Sequence, residues 1–157
     1  MKFKSLQSNF VKPGKVVYIS VRPKRLEPVI ELEEIEAIAE KGLDGDRYKG
    51  IGGARQVTLI QAEHLRAISS FLSKEITADI VRRNIVVEGI NLLALRGKHF
   101  KIGAATLEYS GECHPCSRME ESLGAGGYNA MRGHGGITAK VIQSGLIKLE
   151  DLVIALP

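Results

Sequence analysis

The sequence predicts a mainly β domain, a twisted barrel-like sheet with helical insertions, occupying residues 1–157 as one unit with 1–14 as an N-terminal lead-in. Three observations carry this expectation. Short aliphatic and β-branched runs recur along the chain: Lys15 to Val21, Arg55 to Ile60, Ile85 to Val87, Ala104 to Tyr109, Ile137 to Ile142 and Leu152 to Leu156. Only two or three stretches have helical character, too few to alternate with strands as a doubly wound sheet requires. Turn residues separate the runs, with glycines at Gly14, Gly103 and Gly145. A chain of 157 residues can bury a substantial core without disulfides or a structural metal.

Met1 to Arg25 carries seven lysines and arginines and no acid, scattered among apolar residues, and reads as an exposed approach to the first strand. Val29 to Ile38 mixes apolar and acidic residues at near-alternate positions, the pattern of a half-exposed strand with its glutamates in solvent. Gly42 to Gly53 holds five glycines, two aspartates and two basic residues, a long ordered or lid-like loop. It lacks both the P-loop pattern and the EF-hand spacing. Two readings of this loop stand side by side: Arg47 and exposed amides bind an anion, or Asp–Arg contacts tie the loop. Ala62 to Leu72 has apolar residues at helical spacing, which makes His64 a surface residue. Thr77 caps a second helix running towards Arg82-Arg83-Asn84, a basic end suited to an anion, with Arg83 and Asn84 at the boundary before Ile85.

The chemistry concentrates in Tyr109 to Arg118, YSGECHPCSR, which contains the only two cysteines, Cys113 and Cys116. The setting is polar and turn-like, whereas a buried structural cysteine usually sits in an apolar run. Ser117 and Glu120 have capping-box spacing, making Ser117 the N-cap and placing Cys116 at the mouth of a short helix. Free N–H groups there, with Arg118 or a protonated His114, favour a thiolate. Such a sulfur can act as a nucleophile, carry a second sulfur or bind a soft metal. A zinc site needs three or four protein ligands, and this pair supplies two, with His99 and His134 the other candidates. A thioredoxin-type dithiol would want a flanking βαβ pattern, which is not read here. Two unreactive cysteines in a sharp loop remain a third reading. The favoured one is a single reactive cysteine, Cys116, beside an anion-binding pocket. The glycines from Gly124 to Gly127 imply mobility or close backbone approach.

Twenty-two basic and eighteen acidic residues leave a net charge of +4, compatible with an anionic small molecule. With no tryptophan, four tyrosines and four phenylalanines, a base-stacking nucleic-acid surface is not expected. No run approaches the roughly 20 apolar residues that span a membrane. Two cysteines without a disulfide framework or a signal-like apolar region make the cytoplasm the expected compartment.

Several pieces, taken together and in order, resemble the MOSC family, the domain also found at the carboxyl terminus of molybdenum-cofactor sulfurases. They are Gly42-Leu43-Asp44-Gly45-Asp46-Arg47, Arg55-Gln56-Val57-Thr58-Leu59, Arg82-Arg83-Asn84-Ile85, Leu95 to Gly103, Pro115-Cys116, Arg132-Gly133-His134-Gly135-Gly136-Ile137 and Val141 to Val153. The resemblance implies a barrel-like fold and a role in binding a molybdopterin-type or molybdenum cofactor, as substrate or ligand, or in transferring sulfur. It implies Cys116 as the sulfur carrier and a persulfide as the carried form; Cys113 matches a cysteine found in only some members. His114 or His134 would move a proton. Arg47, Arg55, Arg83, Asn84 and Arg132, with Cys113 beside them, would surround the anionic acceptor. No integral metal is expected. A separate cysteine desulfurase and a molybdoenzyme are the implied partners, since neither a pyridoxal-phosphate sulfurase domain nor the amino-terminal extension of larger relatives is read in the chain. The alternatives are a noncatalytic cofactor carrier and cysteine-dependent detoxification of a small molecule.

Overall fold

The apolar runs become strands that close on themselves. The computed structural model describes residues 2–48 and 50–157. Its strands are β1 (Gly14–Val21), β2 (Ile30–Leu32), β3 (Glu34–Ile38), β4 (Gly42–Leu43), β5 (Val57–Gln61), β6 (Ile85–Glu88), β7 (His99–Ile102), β8 (Ala105–Glu112), β9 (Ile137–Gln143), β10 (Gly145–Lys148) and β11 (Leu152–Ala155). The helices are α1 (Phe3–Leu6), α2 (Ala62–Leu72), α3 (Ala78–Val81), α4 (Ser117–Leu123) and α5 (Gly127–Met131), with a 3-10 turn at Leu92–Leu95. The sheet runs β11-β7-β8-β9-β5-β6-β1, and β1 pairs back onto β11 to close the barrel, while β2 extends from β1. A small sheet, β10-β3-β4, packs on the barrel core through Ile35, Ala37, Leu43 and Ile147. Among the described residues no helix is long and apolar enough to cross a membrane.

Period-two alternation explains how single strands serve two cores. On β5, Val57 and Leu59 point into the barrel while Ile60 packs outward with Val86 of β6, Ile68 of α2 and Val81 of α3. On β6 the inward residues are Ile85 and Val87. β1 obeys the same rule around an irregularity between Val16 and Tyr18, which lets both Val16 and Ile19 face inward. Helices α2 to α5 therefore cover one outer face of the barrel, and its remaining polar positions are free to build something else.

Several expectations need correction. Val29 to Ile38 is two strands, β2 and β3, split at Glu33 and assigned to different sheets. Among the described residues one strand pair is parallel, β5 with β6, joined through α2 and α3, so a βαβ crossover exists although it does not flank the cysteines. The second helix is a single turn, Ala78–Val81, ended by Arg82 at φ +57°. The glycine-rich segment starts a helix, α5, and the expected turn at Gly145 begins a strand, β10. β8 runs on to Glu112, into the stretch read as turn-like, because an irregularity between Tyr109 and Gly111 takes up Ser110 without ending the pairing with β9. The Ser117–Glu120 capping box does not form. Cys116 is the N-cap, and Glu120 instead accepts from the backbone N–H groups of Gly126 at 3.0 Å and Tyr128 at 2.9 Å, fastening the start of α5 to α4.

Gly135 and Gly136 are required by close approach. A Cβ at Gly136 would lie 1.9 Å from the Leu59 carbonyl oxygen, at φ +89°, and one at Gly135 would lie 2.2 Å from that of Cys113. Gly136→Ala is expected to lower the unfolding free energy by more than ~2 kcal/mol, read from urea denaturation, because both the conformation and the space exclude a side chain. An unchanged midpoint would show that β5 and β9 tolerate separation at this point.

Candidate functional site

A belt of small polar side chains crosses the outer face of the barrel. Ser20 of β1, Asn84 just before β6, Thr58 of β5 and Thr138 of β9 are all buried, and Ser110 of β8 continues the row. Asn84 is its centre. Its Oδ1 accepts from the Thr58 backbone N–H and hydroxyl, both at 3.0 Å, and its Nδ2 donates to the Ser20 carbonyl at 3.2 Å and to Asp46 Oδ1 at 3.1 Å. At the far end the Ser110 and Thr138 hydroxyls are 3.0 Å apart. Alternation forces these residues outward because their strand neighbours fill the barrel; burial then requires the mutual hydrogen bonds.

Asp46 brings the glycine-rich loop onto this belt. Its carboxylate is buried and accepts from Arg22 three times: the backbone N–H at 2.7 Å, Nε at 3.2 Å and Nη2 at 2.8 Å. Burial works against its ionisation, but the Arg22 hydrogen bonds and charge, with the Asn84 amide, outweigh it and hold the carboxyl below the usual aspartate range. Above this lies a cleft of about 420 Å³ lined by Arg22, Arg47, Tyr48, Gly50, Arg55 and Thr58. Lys49 of the same loop lies outside the described residues. The cleft concentrates guanidinium groups against one carboxylate, which suits an oxyanion. Nearby, burial and the charges of Arg22 and Arg47 lower the pKa of Arg82, against the pull of Asp46. A larger cleft of about 560 Å³ lies beside α1 with Lys4, Arg96 and Lys98 in its walls, and no buried polar side chain converges on it.

Cys113 sits at one margin of the arginine cleft, through Arg55. Beyond the end of β8, from Cys113 to Cys116, the residues alternate buried, exposed, half-buried, exposed, and Cys116 itself is extended, with φ −124° and ψ 179°. Cys113 is thus buried, contrary to the expectation for a polar turn, with its Sγ 3.9 Å from Arg55 Nη2. Cys116 and His114 are both exposed, and His114 Nε2 is 3.8 Å from Glu112 Oε2. A disulfide requires converging Cβ atoms, so this alternation opposes a direct Cys113–Cys116 bridge. Among the described residues no group of three or more His, Cys, Asp or Glu side chains is placed to hold a metal ion.

The remaining sequence-selected residues are dispersed by role. Arg83 is buried and donates to the carbonyls of Gly135 at 2.8 Å, Val81 at 2.8 Å and Cys113 at 3.5 Å. Burial lowers its pKa, with Arg22 and Arg55 adding to this and Cys113 and Cys116 opposing it. Arg82, expected to favour an anion, donates to the carbonyls of Glu27 and Lys24. Arg132 is exposed, 3.5 Å from Asn129, and is not among the residues lining the cleft. His134 packs edge-on against His64, at 4.9 Å between centroids, and Phe71, at 5.6 Å, on α2. His64 has its pKa lowered by burial and by His134, against Glu63. The sequence reading missed Arg22, Tyr48 and Thr58 as cleft residues. The one available signal was Arg22 directly following a strand, where a side chain can be aimed from a rigid support.

The family model of the MOSC domain matches residues 45–154, which include most of the belt and both cysteines. Among solved structures, the chain is similar to the YuaD protein from Bacillus subtilis, with a TM-score of 0.79 and 17% identity over 90% of this chain and 94% of that one. It is also similar to YiiM from Geobacillus stearothermophilus, TM-score 0.74 and 18% identity over 92% and 76%, and to YiiM from Escherichia coli, TM-score 0.69 and 18% identity over 91% and 70%. These TM-scores show a common fold. A search of curated proteins returned no match.

The Asp46 carboxyl is a stronger acid folded than unfolded, so its ionisation adds stability above the unfolded value of about 4, and that contribution is lost as pH falls through the lower folded value. The stability gap between the protein and its Asp46→Asn variant, measured by chemical denaturation across pH, is expected to be widest near neutrality and to narrow below about pH 4. A gap independent of pH would show that the carboxylate charge contributes nothing.

Proposed function

The chain belongs to the MOSC domain family, and from that premise we propose that it accepts sulfane sulfur on Cys116 and passes it to an anionic, molybdopterin-type acceptor held at the arginine cleft. The observation that carries this reading is Arg55: it lines the cleft while its Nη2 lies 3.9 Å from Cys113 Sγ. The segment that bears the exposed Cys116 is therefore anchored at the margin of an oxyanion site. Arg22, Arg47 and Arg55, with the Tyr48 hydroxyl, form a donor set that suits a phosphate-bearing ligand.

In the loading step the Cys116 thiolate attacks the terminal sulfur of a donor persulfide. A new S–S bond forms at Cys116, the donor's S–S bond breaks, and the donor leaves as a thiolate. In delivery, a nucleophilic atom of the acceptor takes the terminal sulfur and Cys116 leaves as a thiolate. His114, two residues from Cys116, exposed like it and beside Glu112, is the group to accept or return the proton. Arg83 and Asn84 contribute by holding the cleft's frame; Arg132 and His134 take no part in this scheme. A separate cysteine desulfurase would serve as donor and a molybdoenzyme as destination.

Mass spectrometry after exposure to a low-molecular-weight persulfide tests the loading step. The protein and its Cys113→Ser variant are each expected to gain one sulfur atom on Cys116, while Cys116→Ser gains none and keeps its thermal transition. Equal loading of Cys116→Ser and the unaltered protein would overturn the assignment and leave ligand binding alone as the function.

A further inference from the structure

Arg22 is fixed to Asp46 at both ends of its length: the backbone N–H reaches Oδ1 at 2.7 Å, and the guanidinium reaches both carboxylate oxygens, Nε at 3.2 Å and Nη2 at 2.8 Å. Asp46 in turn is held by the Asn84 amide at 3.1 Å, inside the buried belt. The carboxylate side chain is 1% exposed and that of Arg22 17%. A guanidinium has five N–H donors, and the pair with Asp46 occupies one edge of the fork. Arg22 nevertheless lines the cleft with Arg47 and Arg55. We propose that Arg22 is an anion ligand of this cleft and that Asp46 is the positioning residue that aims it, raising the affinity for a compact oxyanion despite its own negative charge. The ligand chemistry is a tetrahedral phosphate group, either free or carried as a monoester. The inference rests on the oxyanion cleft of the proposed function and adds the residues that set its affinity.

Charge and orientation act in opposite directions at Asp46, and that opposition makes the proposal testable. If Asp46 acted only through its field, removing its charge would leave more net positive charge around the cleft and tighten anion binding. If it acts by orientation, removing its charge releases the Arg22 fork, and binding weakens because a preorganised donor becomes a mobile one. The nearby cations do not replace this arrangement. Arg82 spends its donors on the Lys24 and Glu27 carbonyls, and Arg83 donates to those of Gly135, Val81 and Cys113.

Calorimetric titration with inorganic phosphate and with phenyl phosphate, on the full chain and on Asp46→Asn, Arg22→Lys and the double variant, tests this. The unaltered protein is expected to bind, each single variant to bind about ten-fold more weakly, and the double variant to be no weaker than Arg22→Lys alone, because the two residues act as one unit. Unchanged or tighter binding by Asp46→Asn, or full additivity in the double variant, would overturn the proposal. Should Asp46→Asn fail to fold, Arg22→Lys decides: it keeps the charge and loses the fork, so affinity equal to the unaltered protein overturns it. Absence of phosphate and ester binding by the unaltered protein would overturn the cleft itself, and this inference with it. Binding of the ester assigns the site to a phosphate on a larger molecule; binding of inorganic phosphate alone assigns it to the free ion, with the Asp46 effect expected in either case.

Discussion

The Asn84 side chain joins elements that are distant in sequence: Ser20 on β1, Thr58 on β5 and Asp46 on the glycine-rich loop all meet at one buried amide. An amide of this kind is costly when left unpaired and firm when fully paired. It converts an otherwise pliable loop into a wall with a defined place on the barrel. Everything attributed to the site depends on that transfer of rigidity. The Arg22 fork is held by a carboxylate that is itself held by the barrel, and Arg47 enters the same frame because its backbone N–H donates to the Arg22 carbonyl at 2.7 Å.

The cysteine segment is organised by a simpler rule. Extended backbone sends successive side chains to opposite sides. Cys113 is turned inward beside Arg55, and Cys116 outward with His114. The spacing C-x-x-C suggests a pair, but alternating burial divides its labour: one sulfur contacts the cationic wall and the other meets solvent. Arg83 connects the two sides, because its carbonyl contacts bind the β8 end to the start of β9 where Gly135 and Gly136 permit the strands to come close.

Much of the barrel could be read directly from period-two patterning, and the Ala62–Leu72 helix was visible in its apolar spacing with the same bounds. What could not be read depends on distant partners. Arg22 looks like the end of a strand until Asp46, remote in sequence, is placed against it. Glu120 has the right spacing to bond back to Ser117, yet the N–H groups of Gly126 and Tyr128 draw it forward. Gly145 reads as a turn because pairing with Ala37 of β3 is invisible locally. His134 sits in a glycine-rich segment just after Arg132, and its partners on α2 are an aromatic face and another imidazole. Of the residues selected in advance, Arg47 and Arg55 line the cleft, while Asn84 and Arg83 stand behind it as supports.

The ring of strands is joined unevenly. β8 and β9 share a long ladder, whereas β1 meets β11 through Gly14 opposite Val153 and Lys15 opposite Leu152. Lys15 reinforces that short join with carboxylates at Glu88 and Glu150, all three well exposed to water and hence weak fasteners. Thermal breathing should consequently start at this zipper's shortest tooth-row, letting the amino-terminal arm lift while the opposite half of the cylinder keeps its amides shielded. The molecule thus puts its most expendable stitching far along the ring from the ladder on which the cysteines hang.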